Sequence, residues 1–151
     1  MTQIIKKYIK KYHQILNSKN LQNWKNDSGD QKLKFEYSII ESSIIFELGA
    51  YNGGMVRQIS EKFNPFIYAF EPSPTFYKPL NEEYESDKIK IFNFGLSDKN
   101  ECKTLINSKD GSYISKSNKK NLPTENVKLI KLSEFIIQNK IEFIDLININ
   151  I

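Results

Sequence analysis

From Ser43 onward, apolar runs of strand length alternate with segments of helical pattern. The runs are Ile44 to Leu48, Phe66 to Phe70 and Ile89 to Phe94; one helix follows Gly53, and another is expected from Pro74 to about Ser86. Parallel strands need a long crossover to bring the chain back to the same end, and a helix is the usual crossover. This alternation therefore predicts an α/β domain, a parallel sheet with flanking helices. Pro74 suits the first turn of its helix, where its missing N–H would be unpaired anyway, and Ser73 before it is placed to act as the N-cap. Further along, Glu101 to Ser117 reads as short strands around a turn at Lys109, Asp110 and Gly111, and Val127 to Leu132 as another strand. A helix from Ser133 to about Lys140, opened by Ser133 and Glu134, leads to a final strand over Phe143 to Ile151.

The first 43 residues have a different character. Ile4, Ile5, Tyr8, Ile9, Tyr12, Ile15 and Leu16 recur at helical spacing, with Lys6, Lys7, Lys10 and Lys11 on the other side. The pattern predicts a basic amphipathic helix that covers the domain, with contact to an anionic membrane surface as the rival use. Between Asn17 and Lys34 the chain turns polar, so a linker or loop is expected around a short turn near Trp24. The expected organisation is thus an N-terminal helix and linker over 1–43, then one domain over 44–151.

Composition removes several classes of function. The 22 basic residues outnumber 18 acidic ones, but they are scattered along the chain, and Arg57 is the only arginine. A nucleic-acid reader built on arginine forks is not expected. Cys102 is the only cysteine, which leaves no intramolecular disulfide and no thiolate zinc site, so a reducing cytoplasm is the default and no metal is expected. Cys102 itself is read as a half-buried strand residue. No apolar run reaches the roughly 18 residues needed to cross a bilayer, and the N-terminus lacks the apolar stretch of a signal peptide. His13 is the only histidine, so base or metal chemistry through imidazole would have to draw on the N-terminal segment.

The chemistry is concentrated in Phe46-Glu47-Leu48-Gly49-Ala50-Tyr51-Asn52-Gly53-Gly54. An acidic residue ends an apolar strand, and a glycine turn then opens a helix. Gly49 and Gly53 lack a Cβ where a ligand could approach the backbone, and the helix start aims free N–H groups at it. The second strand ends at Glu71, in Phe70-Glu71-Pro72-Ser73-Pro74. A carboxylate there, beside the first glycine turn, is placed to accept both hydroxyls of a ribose. The glycine spacing separates the nucleosides, because a dinucleotide site wants G-x-G-x-x-G and Tyr51 stands at the second glycine. Its ring would obstruct a pyrophosphate, which argues against a nicotinamide-dependent oxidoreductase.

The pattern E-x-G-x-x-x-G resembles the first motif of class I S-adenosylmethionine-dependent methyltransferases, whose cofactor carries a methionine tail in place of phosphates. Taken with Tyr-Ala-Phe-Glu-Pro-Ser-Pro, Asn-Phe-Gly-Leu-Ser-Asp at 93–98 and Leu-Ile-Asn-Ile-Asn at 146–150, the chain over 44–151 resembles the FkbM family. The resemblance implies a Rossmann-like parallel sheet and an O-methyltransferase acting on a small-molecule or glycan acceptor, a hydroxyl of a sugar or polyketide. It implies a cofactor site made of Glu47, Gly49, Tyr51, Gly53 and Glu71, with Gly95, Leu96 and Ser97 in the adenine pocket. Two departures accompany it. The family's acidic residue followed by Glu-Gly is replaced at Asn150, and an amide cannot take a proton as a carboxylate does, so the catalytic base is unassigned. The sheet is also expected to be incomplete, lacking the substrate half. This predicts self-association through an exposed edge at 143–151, and it keeps open a non-catalytic remnant or interaction module as the alternative.

Overall fold

The computed structural model describes residues 18–29, 32, 35–108, 111–114 and 123–150, with the side chains of 107, 108 and 111–114 outside that description. The helix expected over Ile4 to Leu16, with His13, lies outside the described residues, as does the turn at Lys109 and Asp110. The chain divides into two compact units, Met1–Ser38 and Ile39–Ile151.

In the first unit the polar stretch expected to be a loop holds a helix, α1 (Lys19–Asn26). The reason is local. Ser18 takes the extended N-cap conformation and its hydroxyl accepts from the Leu21 N–H at 3.2 Å, satisfying one of the unpaired donors of the first turn. Beyond the helix, the Gly29 N–H donates to the Trp24 carbonyl at 2.7 Å, and a Cβ on Gly29 would collide with the indole ring.

The second unit carries β1 (Ile44–Leu48), α2 (Gly54–Phe63), β2 (Phe66–Phe70), α3 (Pro74–Tyr84) and β3 (Ile89–Phe92). It continues with β4 (Gly95–Ser97), β5 (Glu101–Ser108), β6 (Gly111–Ile114), β7 (Thr124–Lys131), α4 (Leu132–Gln138) and β8 (Leu146–Ile149). The first sheet has the order β3-β2-β1-β8, all parallel, with Ile44 opposite Phe66, Ile67 opposite Ile89 and Ile45 opposite Leu146. This is the α/β parallel sheet with flanking helices that the alternation predicts. β1 lies inside it, and Ile45 and Phe46 are fully buried on its two faces.

Successive strand residues point to opposite faces, and the two faces are filled differently. On one, Phe46, Tyr68, Phe70, Phe92 and Phe94 surround Phe135 of α4, which meets Phe70 edge-on at 5.0 Å and Phe92 at 5.1 Å. Ile141, Leu96, Ile130 and Leu132 extend this cluster. On the other, Ile45, Ile67, Ala69 and Ile91 are buried, α2 lies against β2 and α3 against β3, and Val56, Ile59 and Leu80 are the buried helix residues.

A second sheet, β4-β7-β5-β6, was not foreseen. Within it β4 and β7 are parallel, while β5 runs antiparallel to both β6 and β7. It begins where β3 ends at Phe92, two residues short of the expected limit at Phe94. There the Asn93 amide donates to the carbonyls of Glu71 and Pro72 at 3.0 and 3.2 Å, which turns the chain out of the first sheet. α4 also starts earlier than expected, with Lys131 and not Ser133 at the N-cap. The Asn100 amide decides this: its oxygen accepts from the Lys131 N–H at 2.7 Å and its nitrogen donates to Glu134 at 2.7 Å, holding both sides of the helix start.

The final strand is shorter than 143–151, because Asp145 is spent on clamping its start. The Ile44 N–H donates to the Asp145 carboxylate at 2.8 Å, and the Asp145 N–H donates to the Ile44 carbonyl at 2.9 Å. β8 forms one edge of the first sheet and exposes Ile147 and Ile149. At the opposite edge, β3 is covered by side chains: the Ile91 N–H donates to Glu85 at 2.9 Å and the Ile89 N–H to the Ser86 hydroxyl at 3.1 Å. Among the described residues no helix is long and apolar enough to cross a membrane.

Candidate functional site

The carboxyl ends of β1 and β2 meet at the glycine turn, and backbone hydrogen bonds fix how they meet. The Gly49 and Ala50 N–H groups donate to the Phe70 carbonyl at 2.9 and 3.3 Å, so the turn leaves β1 across the end of β2. Gly49 has φ 81 and Gly53 φ 75, left-handed values that a glycine takes without strain. Tyr51 has φ 49, an outlier for a bulky residue. Two contacts hold it there. Its N–H donates to Glu71 Oε2 at 2.7 Å, and its ring, itself half exposed, meets Phe76 edge-on at 4.6 Å.

Glu71 is the centre of this arrangement. It is buried, with Oε2 held by the Tyr51 N–H and Oε1 by the Ser73 N–H at 2.9 Å. Burial pushes its carboxyl above the ordinary carboxylate range, the Ser73 and Tyr51 N–H groups pull it back down, and the nearby Glu125 charge adds to the upward push. A carboxylate has about four acceptor sites, and two are used, so capacity for further donors remains.

Ser73 stands at the N-cap of α3 as expected, but its hydroxyl makes no capping bond. It donates instead to Glu125 of β7, whose other oxygen accepts from the Thr75 hydroxyl. Glu125 thus joins the second sheet to the end of β2. No sequence pattern pointed to Glu125 or Thr75, since β7 is brought to this place only by the pairing of the second sheet.

The other residues expected at the site fall into distinct surroundings. Glu47 is buried, and the Asn148 amide donates to both its oxygens at 2.8 Å across the β1–β8 pair. Gly53 was expected to admit a ligand, but a Cβ there would stand 2.5 Å from Tyr84 Cε2 and 2.6 Å from Leu80 Cδ1. The close approach at Gly53 is therefore that of α3. At Gly95 the space of a side chain is filled by Leu129, 2.8 Å from an added Cβ. Leu96 and Ser97 line an open cleft of about 470 Å³ together with Leu48, Asp98, Lys131, Leu132 and Ser133. This cleft includes Leu48, next to the glycine turn, and its lining combines three leucines with four polar or charged residues. Gly49, Tyr51, Gly53 and Glu71 are not among its lining residues. Asn150 follows β8, its N–H donating to the Leu48 carbonyl at 2.8 Å.

One minor expectation has a simple outcome. Cys102 is exposed and not half-buried, because in the β5–β7 pair it lies opposite Lys128, on the face away from Val127 and Leu129.

No protein-family model and no curated protein matches the chain. Among solved structures it is similar to a chain of the complex between the Haloferax volcanii Trm112 methyltransferase activator and the candidate methyltransferase, with 13% identity and a TM-score of 0.36. The match covers 46% of this chain and 36% of that one, so this chain corresponds to about a third of that protein's length.

Proposed function

We propose that the unit 39–151 binds S-adenosylmethionine at the carboxyl ends of β1 and β2 and is part of an O-methyltransferase of FkbM type. The observation that carries this reading is the buried Glu71 carboxylate at the end of β2, hydrogen-bonded to the Tyr51 N–H of the glycine turn after β1. An acceptor-only group with spare lone pairs, buried where its charge is costly, favours ligands that bring donors, and the two hydroxyls of a ribose are such donors. The neighbouring negative charge of Glu125 disfavours a pyrophosphate and suits a ligand with a cationic sulfonium. In this reading Glu71 holds the ribose, the Gly49–Gly53 turn carries the methionine tail past Tyr51, and Leu96 and Ser97 border the cleft for the base. The bound cofactor would supply a methyl group activated by its sulfonium. The protein's part is to hold an acceptor hydroxyl, of a sugar or polyketide, in line with that methyl, which is an effect of positioning.

Calorimetric titration with S-adenosylhomocysteine and with NAD tests the assignment. Binding of the first and not the second is expected, and Glu71→Ala should weaken it at least about tenfold, the loss of charge-assisted hydrogen bonds. Tight NAD binding with none for S-adenosylhomocysteine would overturn the assignment. One observation favours a second reading, a non-catalytic interaction module: Glu47 is bonded by Asn148 and Glu71 by two backbone donors, so both motif carboxylates already hold the fold together. A folded chain that binds neither ligand would support that reading.

A further inference from the structure

We infer that Glu125 is a positioning residue for the Glu71 site: by holding the hydroxyls of Ser73 and Thr75, it fixes the segment whose backbone holds Glu71 and ties cofactor binding to the second sheet. The inference rests on the proposed function for its ligand and on geometry for the rest.

Ser73 is fully buried and is gripped from two directions. Its N–H donates to Glu71 Oε1 at 2.9 Å, and its hydroxyl donates to Glu125. A serine at the start of a helix ordinarily turns its hydroxyl back to cap the first turn. Here that bond is forgone, and the helix start is anchored to another strand instead. Thr75, two residues further on in the first turn of the helix, gives its hydroxyl to the second Glu125 oxygen. Glu125 has a firm base for this task. It pairs with Leu105 across the β5–β7 ladder, and Leu105, Val127 and Leu129 on the same face are buried. A carboxylate receiving two hydroxyls is a charge-assisted pair, stronger and more directional than neutral hydrogen bonds.

The same side chain acts on Glu71 through its charge. Glu71 faces the Tyr51 N–H from the turn after β1, the Ser73 N–H from the start of α3 and the Glu125 carboxylate from β7; the Asn93 amide from the end of β3 binds its backbone carbonyl. Of these only Glu125 is charged, and like charges favour the protonated form of Glu71. Ribose hydroxyls need the ionised form, so ligand affinity must fall as the pH drops through the titration of Glu71. Removing the Glu125 charge moves that fall to lower pH.

Two variants separate the roles. Glu125→Gln removes the charge but keeps an oxygen and an N–H, each able to pair with a hydroxyl; Glu125→Ala removes charge and grip together. S-adenosylhomocysteine affinity is measured by calorimetry at a series of pH values lowered stepwise from neutral into the ordinary carboxylate range. Amide hydrogen exchange of Tyr51 and Ser73 and the NMR titration of the Glu71 carboxyl are followed without ligand. Glu125→Ala is expected to bind about tenfold more weakly and to exchange its Ser73 amide faster. Glu125→Gln is expected to bind as the unaltered protein does at neutral pH, with the acid loss of binding and the Glu71 titration both displaced to lower pH. Unchanged exchange and affinity in Glu125→Ala, or an undisplaced Glu71 titration in Glu125→Gln, overturns the inference alone. Absence of S-adenosylhomocysteine binding in the unaltered protein overturns the cofactor reading, while the ligand-free measurements still decide whether Glu125 holds Ser73 and acts on Glu71.

Discussion

Gly53→Ala, compared with Gly54→Ala, separates a glycine required by packing from one that merely follows it. At position 53 the backbone sits at φ 75, where any Cβ carries a penalty of roughly 1–2 kcal/mol. The added carbon would also stand 2.5 Å from Tyr84 Cε2 and 2.6 Å from Leu80 Cδ1, well inside contact distance. Leu80 is buried and cannot swing into solvent, so α3 must shift, and overpacking of this kind costs about 1–3 kcal/mol. The expected total is about 2–5 kcal/mol, a large part of the 5–15 kcal/mol typical of a domain. At position 54 an added Cβ meets only Asn52 Oδ1 at 3.4 Å, and the residue opens a helix that alanine favours. Gly54→Ala should therefore lie within about 0.5 kcal/mol of the unaltered protein. Urea unfolding at equilibrium reads both, with the midpoint moving and the slope kept. Equal stability of the two variants would show that packing does not require a glycine at position 53. So would a Gly53→Ala protein of undiminished stability that loses S-adenosylhomocysteine binding, since the close approach would then belong to the ligand.

Phe135→Ala removes the ring that meets Phe46, Tyr68, Phe70, Phe92 and Phe94, and should cost about 3–5 kcal/mol in thermal or urea unfolding; a loss below about 1 kcal/mol would show that α4 contributes little to the core. Because the folded Glu71 carboxyl is raised above its unfolded value, the native state holds the extra proton, and stability relative to Glu71→Gln should grow as the pH falls from 7 towards the ordinary carboxylate range; a flat or opposite trend would contradict the direction. The β8 edge, with Ile147 and Ile149 exposed, is expected to promote self-association, so Ile147→Lys and Ile149→Lys should lower light scattering; an unaltered protein that is already monodisperse, or equal scattering in the variants, would contradict this.

Local pattern alone determined the first sheet and its crossovers. Runs such as Ile44 to Leu48 and Phe66 to Phe70 are apolar throughout because parallel strands are buried on both faces, and β1, β2, α2 and α3 appear where that pattern put them. The hairpin of β5 and β6 was legible for the same reason, since turn residues flanked by alternating side chains specify it without reference to the rest of the chain. The polar stretch around Trp24 misled, because an N-cap bond at Ser18 outweighs a composition typical of loops.

Pairings between distant segments were decided by tertiary structure. That β4, β5, β6 and β7 form a second sheet apart from the first depends on the Asn93 amide turning the chain and on Leu129 closing over Gly95. The candidate site divides in the same way. Glu71 beside the glycine turn could be read from the chain, because both lie at strand ends within one βαβ unit. The Ser73, Thr75 and Glu125 clasp could not, because a hydroxyl's preference for its own helix start is overruled only when another strand brings a carboxylate within reach. Gly53 carries the same lesson: its need for positive φ is local, but the neighbour that forbids a side chain is α3, and which surface covers a glycine is set by packing and not by the motif that contains it.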